Sequence, residues 1–276
     1  MRLEIYLTRR LSTNPALVGW GLLFIVFWAI IGAFVESASL PPHLPNEAYE
    51  FYTSSWYGVL ILLSFSSIGV SLMYSVAYHT GSIPYLLRSS KMKALDYILG
   101  LTISGVVTSL IYSLILLALV DLFFSYHFGF QISPANLPLI LISGIFAGIF
   151  FTSFSLFLQL LVIKYLGFNL ATNQIVSFVP LILGYAFGFA SLYTNLGNLV
   201  YGSPFADMEY LLVEGYYGHQ IHLRALDSVT ASSSGDLFSV GIGSMTLVVW
   251  IALLFSISLL IFNRMYYRNI YESKTV

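Results

Sequence analysis

The chain has no cysteine and very few charged residues. Across its 276 residues only 8% are charged, against roughly 25% in soluble domains, and 58% are hydrophobic. The absence of cysteine excludes disulfide bonds, thiolate metal sites and a cysteine nucleophile. The formal net charge of −1 favours neither an acidic nor a basic partner. The composition therefore excludes an ordinary soluble domain and indicates a membrane protein.

Motifs that carry chemistry are also missing. The sequence contains no G-x-x-x-x-G-K-[ST] phosphate loop, no H-E-x-x-H zinc motif and no G-x-S-x-G of a serine hydrolase. His219 and His222 have a spacing that could place two imidazoles on one helix face, but in a polar loop this spacing is usually a coincidence. We therefore expect no catalytic residues, no metal site and no ATP binding in this chain.

What the sequence does have is long charge-free runs. No charged residue occurs in 11–35, 51–87, 97–120, 122–163, 165–206 or 237–263. Each run exceeds the ~20 residues that a spanning helix needs. They predict an all-α integral membrane protein with one transmembrane domain, 1–276, and spans at about 17–35, 56–78, 98–120, 137–165, 174–194 and 245–263.

The spans contain no charged residue that could couple transport to the movement of protons or ions. None has a charged residue at its centre, whereas a proton- or ion-coupled carrier usually keeps one in the membrane. If the protein moves a solute, we expect the energy to come from another chain. The fourth span is long enough to be tilted or to break at Gly144 or Gly148.

The basic residues predict the orientation. With both termini in the cytoplasm, 10 of the 11 basic residues lie inside and 9 of the 12 acidic residues lie outside. The positive-inside rule therefore predicts six helices with both termini inside, and we expect this multi-pass protein in the cell membrane. The outer segments are then 36–55, 121–136 and the large loop 195–244.

The N-terminal segment predicts a short interfacial helix. Leu3, Leu7 and Leu11 recur at four-residue spacing, which suits a helix lying in the interface. The arginines lie elsewhere around this helix, where they face lipid headgroups or a cytoplasmic partner, or serve only to set the topology: Arg2, Arg9 and Arg10.

Small residues mark helix faces in spans two and five. Such residues favour close helix packing over a solute pathway, although the two can coincide. Pro180 should kink span five. The face residues are Ser64, Ser67, Ser71 and Ser75 in span two, and Gly184 and Gly188 in span five.

Part of the large outer loop should be helical. Ser203 suits an N-cap, Pro204 a first helical residue, and Gly215 the residue after the end. We expect a short helix that dips into the outer leaflet on one apolar face, formed by Phe205, Met208 and Leu212.

Between spans two and three lies a basic patch. Arg88, Lys91 and Lys93 fall within six residues, after Gly81 and Pro84. This pattern predicts a short helix on the cytoplasmic surface. The alternative is an ordinary inside loop that is basic only for topology.

This layout resembles that of an ABC-2-type permease, the membrane subunit of an ATP-binding-cassette exporter. In that family the loop between spans two and three holds a coupling helix, often with the pattern E-x-G-T-[hydrophobic]-x-x-L-x-x-S-P before basic residues. Here residues 79–91 read HTGSIPYLLRSSK, and the Glu and the Ser-Pro proline of the pattern are missing. The matching positions are Gly81, Ser82, Ile83, Leu86, and Ser89 or Ser90.

The resemblance implies partners. Two ABC ATPase subunits would bind ATP and Mg, a second permease subunit, identical or a sister, would complete the transporter, and no nucleic acid is involved. Leu86 and Leu87 would fill a groove of the ATPase, and Arg88 would lie at its rim. The docking set is Gly81, Ser82, Ile83, Tyr85, Leu86, Leu87 and Arg88.

The sequence says less about the transported substrate and about functions other than transport. Aromatic, charge-free spans, with 17% aromatic residues overall, favour an amphipathic or hydrophobic cargo. A second class of function is a non-transporting polytopic protein, such as an assembly factor or an immunity-type protein. An intramembrane enzyme is a third and weaker alternative.

Overall fold

The computed structural model describes residues 2–41, 44–79, 83, 85, 89, 93–166, 170–194, 196–223 and 237–266. Among these residues six helices are long and apolar enough to cross a membrane, and none of the residues forms a named strand. The predicted all-helical membrane fold with six spans is confirmed at this level.

The helices are numbered in chain order. The spans are α2, α3, α4, α5, the pair α6 and α7, and α10. The bounds are α1 Arg2–Ser12, α2 Pro15–Ser39, α3 Asn46–His79, α4 Ala94–Phe128, α5 Leu137–Leu161 with a π turn at Val162–Leu166, α6 Leu170–Ser177, α7 Val179–Tyr193, α8 Leu199–Gly202, α9 Pro204–Tyr217 and α10 Val240–Tyr266.

Helix α3 is the centre of the bundle. In its most apolar window 78% of the residues are buried within the chain, against 28% for α2, α10 and the α6–α7 span. Close packing requires small residues on the neighbours. A Cβ at Gly184 of α7 would lie 2.8 Å from Ser66 Cβ and would overlap Ser66 Oγ, whereas one at Gly188 would make ordinary contacts with Val59 and Leu62.

Helix α2 contains two π turns, and each exposes a glycine carbonyl to α3. The turns are Gly19–Leu23 and Ile31–Val35. Ser64 Oγ donates a hydrogen bond to the Gly21 carbonyl at 2.7 Å, and Tyr52 OH donates to the Gly32 carbonyl at 2.8 Å. A π turn disturbs the regular helical hydrogen bonds, so these hydroxyls satisfy backbone groups inside the bundle.

Two predicted irregularities have different outcomes. Helix α5 runs without a break through Gly144 and Gly148, and Gly148 lets α4 approach, because a Cβ there would lie 2.8 Å from Val106 Cα. Span five is interrupted at Phe178, with Pro180 in the first turn of α7. Proline lacks the N–H that a continuous helix would use, which accounts for the interruption just before Pro180.

Candidate functional site

Helix α9 begins and ends with recognisable caps. The Ser203 side chain accepts a hydrogen bond from the Ala206 N–H, and Pro204 lies in the first turn, as the sequence predicted. The predicted end at Gly215 is wrong. The helix continues to Tyr217 and ends at Gly218, whose φ of 79° is the left-handed conformation that glycine favours.

Gly215, which the sequence placed after the end of the helix, has a packing role. A Cβ at Gly215 would lie 2.9 Å from the Ile140 side chain and 3.3 Å from its backbone nitrogen, at the beginning of α5. The glycine therefore permits a close approach of α9 to α5 within a continuing helix. The spacing from Ser203 alone does not distinguish a packing glycine from a terminal one.

Helix α9 spans only half of the bundle. Its 14 residues are about 21 Å long at 1.5 Å per residue. At its beginning the Phe205 ring lies 5.6 Å from Phe154, near the middle of α5. At its end the Tyr216 ring lies 5.0 Å from Tyr57, in the first half of α3. The chain thus descends to mid-depth and returns, and residues 196–217 are called the re-entrant segment.

The helix is a core element instead of a helix dipping into lipid. Every residue from 204 to 216 except Glu214 is buried, on all sides of the helix. It packs against α3, α5, α7 and α10. The expectation of one apolar face therefore needs correction, because protein surrounds the whole helix and not only Phe205, Met208 and Leu212.

Burial of α9 brings carboxylates into the bundle. Asp207 has no exposed surface, and its Oδ2 accepts a hydrogen bond from Thr246 Oγ1 of α10 at 2.5 Å. Its Oδ1 accepts no hydrogen bond from any residue that the structure describes. Burial raises the pKa of Asp207 to about 7, and the hydrogen bond from Thr246 lowers this pKa in part.

Glu209 is buried on a different face of the same helix. A Cβ at Gly58 of α3 would lie 3.1 Å from Glu209 Cγ, and a Cβ at Gly243 of α10 would lie 3.3 Å from Asp207 Oδ1. Each buried acid therefore lies against a glycine of a neighbouring helix. Sequence reasoning missed both acids because it assigned 195–244 to an outer loop, although the apolar run around them was a signal.

Beneath the beginning of α9 lies a pocket of about 290 Å³ with almost no polar surface. Its roof is the turn from α8 to α9, and its walls come from α5, α7 and α10. The lining residues are Phe150, Phe154, Phe157, Phe187, Gly202, Ser203, Pro204, Phe205, Trp250 and Leu254.

At the end of the bundle that carries α1, a hydrogen-bond chain joins three helices. The Arg10 guanidinium donates to His79 Nε2 at 2.8 Å, and His79 Nδ1 lies 3.0 Å from Tyr97 OH. Because a guanidinium only donates, Nε2 must accept, and His79 then donates through Nδ1. The chain connects α1, the end of α3 and the beginning of α4.

Helix α1 also packs directly on α4. A Cβ at Gly100 would contact Leu3 and Leu7 at 3.5 Å, and Thr8 Oγ1 donates to Ser104 Oγ at 3.3 Å. Arg9 and Arg10 are exposed at the surface of α1. The side chain of Arg2 lies outside the described residues.

The predicted docking segment is described at three positions only. Ile83 is fully buried within the chain, whereas Tyr85 is 62% exposed. Ser89 Oγ donates to the Tyr85 carbonyl at 2.5 Å, an i to i+4 contact typical of a helical turn. The other predicted docking residues lie outside the described residues: Gly81, Ser82, Leu86, Leu87 and Arg88.

The predicted serine face is divided between two environments. Ser64 bonds to α2, and Ser67 Oγ donates to the Leu63 carbonyl of its own helix. Ser71 and Ser75 are half-buried and line a small pocket of about 80 Å³ under α1. Within the described part of the chain, no group of three His, Asp or Glu side chains is placed to hold a metal ion.

Comparison with known proteins adds no assignment. Neither models of protein families nor curated protein sequences match this chain.

Proposed function

We propose that this chain is the transmembrane permease subunit of an ABC-type exporter in the cell membrane. A separate pair of ATPase subunits hydrolyses ATP with Mg and docks on the cytoplasmic segment between α3 and α4. A second permease subunit, identical or a sister, completes the pathway. The cargo is amphipathic or hydrophobic, because the spans are rich in aromatic residues and the pocket beside α9 has almost no polar lining.

The observation that carries this proposal is the joint formed by Arg10, His79 and Tyr97. It lies at both ends of the segment 80–92, where α3 leaves the membrane and α4 returns. A force applied to that segment would reach α1, α3 and α4 together, because hydrogen bonds and packing connect them. Since α3 is the central helix, such a force would act on the whole bundle.

The re-entrant segment favours a transport function, as opposed to a purely structural one. Non-helical backbone at membrane depth is tolerated only where protein covers it or where it lines a cavity. The turn before α9 lies at that depth and adjoins the aromatic pocket. Helix α9 occupies only one half of the bundle, so its movement would open that half without displacing a spanning helix.

Docking is tested by co-purification of the full chain from native membranes in mild detergent. The expected result is a partner with Walker motifs, identified by mass spectrometry. Burying a Leu typically contributes about 1.5–3 kcal/mol, so Leu86→Asp should lose most of the partner. Tyr85→Asp should also lose the partner. Arg88→Ala should weaken docking less, because charges at the rim of an interface change mainly the association rate.

Membrane levels of each variant must be matched before partners are compared. Arg9→Glu on α1 is the control, and it should keep the partner. If Leu86→Asp keeps the partner while Arg9→Glu loses it, docking is on α1 and the segment 80–92 is basic only for topology. If no ATPase co-purifies with the native chain, the non-transporting assembly or immunity-type function replaces the proposal.

A further inference from the structure

The aromatic pocket exists because α9 is short. Helix α9 fills the space between α7 and α10 in one half of the bundle and stops at mid-depth. Beyond its beginning, towards the end that carries α1, none of the described helices occupies that space. The pocket occupies this position, with Phe205 as its roof and Phe157 and Leu254 nearer the α1 end.

The pocket is continuous with the lipid-facing surface of the bundle. Trp250 lines it and is itself 37% exposed. Val249 and Leu253, beside Trp250 on α10, are exposed large apolar side chains of a membrane span. At this depth the bilayer itself offers only hydrocarbon chains, because headgroups and water lie at its two surfaces.

The size and chemistry of the pocket suit part of one chain. An apolar protein cavity of about 150 Å³ stays dry and accepts benzene. A volume of about 290 Å³ is nearly twice as large. By that comparison it accommodates on the order of ten carbon atoms. With almost no polar lining it offers no partner for a headgroup.

We propose that this pocket binds one acyl chain of a bilayer phospholipid. The chain enters from the leaflet at the α1 end, and its terminal carbons lie against Phe205. The bound chain fills the half-depth gap that a re-entrant helix leaves and supports the turn from α8 to α9. This inference does not depend on the exporter assignment.

The test uses the full chain in nanodiscs of phosphatidylcholine. A small fraction of the lipid carries a photoactivatable diazirine near the methyl end of one acyl chain. After irradiation, labelled residues are mapped by mass spectrometry. Labelling of the peptides that contain Phe154 and Phe205 should exceed, several-fold, labelling of Ile111, an exposed residue near the middle of α4.

Gly202→Phe fills the pocket. A Cβ at Gly202 would meet nothing within 4 Å, and its φ is not positive, so a ring can enter the pocket without strain. This variant should reduce pocket labelling several-fold and leave Ile111 unchanged. Gly19→Phe is the matched control, because a Cβ there also meets nothing within 4 Å but lies on α2, away from the pocket. It should leave pocket labelling unchanged.

Leu254→Phe narrows the pocket from α10 and provides a second variant if Gly202→Phe does not fold. Three results overturn the proposal. One is equal labelling of Ile111 and the pocket. Another is pocket labelling that persists in a folded Gly202→Phe or Leu254→Phe chain. The third is a pocket that takes no label, which would mean that another protein surface covers it.

Discussion

Asp207 is a residue through which the bundle should respond to pH. Its ordinary pKa of 3.8 is raised to about 7, first by burial, so the folded chain favours the protonated carboxyl. The stability gained by protonation is fully present below about pH 4 and is lost as the pH rises through about 7.

We therefore predict that the melting temperature of the detergent-purified chain falls between pH 5 and pH 8. Asp207→Asn should reduce this fall, because its amide oxygen still accepts the hydrogen bond from Thr246 but cannot ionise. The remainder is expected from Glu214, whose pKa burial also raises to about 7. Melting curves followed by circular dichroism measure the effect. Glu47→Gln, at an exposed carboxylate of α3, is the control and should retain the fall. A fall that is undiminished in Asp207→Asn would assign it to other groups.

Two glycines of α7 should respond to alanine with opposite signs. Gly184→Ala forces a methyl group onto Ser66, and overpacking of this kind costs about 1–3 kcal/mol. Gly188→Ala makes ordinary contacts at 3.5 Å or more, and in a helix interior alanine is about 0.5–1 kcal/mol better than glycine. Thermal unfolding should show Gly184→Ala less stable and Gly188→Ala equal or more stable than the native chain.

The matched second change is Ser66→Gly, which removes both atoms that the new methyl group meets. The double variant Gly184→Ala with Ser66→Gly should recover most of the stability that Gly184→Ala loses relative to Ser66→Gly alone. Additive losses would mean that α7 does not pack on α3 through this contact.

At the scale of elements, the spans and the beginning of α9 were predictable, and the burial of α9 was not. A charge-free run of ~20 residues indicates a spanning helix, and the six runs here correspond to six such helices. The cap at Ser203 is equally local and was also predicted. Burial of α9 depends on its neighbours, because a 14-residue helix containing Asp207 and Glu209 reads as a surface helix until α3, α5 and α10 surround it.

The docking of α1 on α4 gives an element-scale prediction. Gly100 leaves room for Leu3 and Leu7, and a Cβ there would contact both at 3.5 Å. Gly100→Trp should therefore displace α1, whereas Gly100→Ala should keep it in place. Hydrogen–deuterium exchange measures the difference. Amides of α1 should exchange at least about tenfold faster in Gly100→Trp, which corresponds to about 1.4 kcal/mol of lost local stability.

Exchange in α3 and α5 is the internal control, and it should be the same in both variants. Equal exchange of α1 in the native chain and in Gly100→Trp would mean that α1 is held elsewhere, for example by Arg10 and His79 alone.

At the scale of the whole molecule, the predicted orientation can be tested directly because the chain has no cysteine. Single cysteines at Ser39 and Ser133 should react with an impermeant thiol reagent in intact cells. A cysteine at Ser89 should react only after the cells are opened. All three positions are exposed in the structure, so access to the reagent depends on the side of the membrane. The reverse pattern would mean that the chain has the opposite orientation in the membrane. The proposed docking segment would then not be in the cytoplasm.

We propose that the chain works with ATP bound by another polypeptide, and the most direct test is to identify which polypeptide binds the nucleotide. The complex co-purified from native membranes is irradiated with an azido analogue of ATP and then separated by electrophoresis. Because residues 1–276 contain no phosphate-binding loop, we predict label on a second chain and none on this one. Label on this chain, or ATP hydrolysis by a preparation free of other chains, would contradict the account.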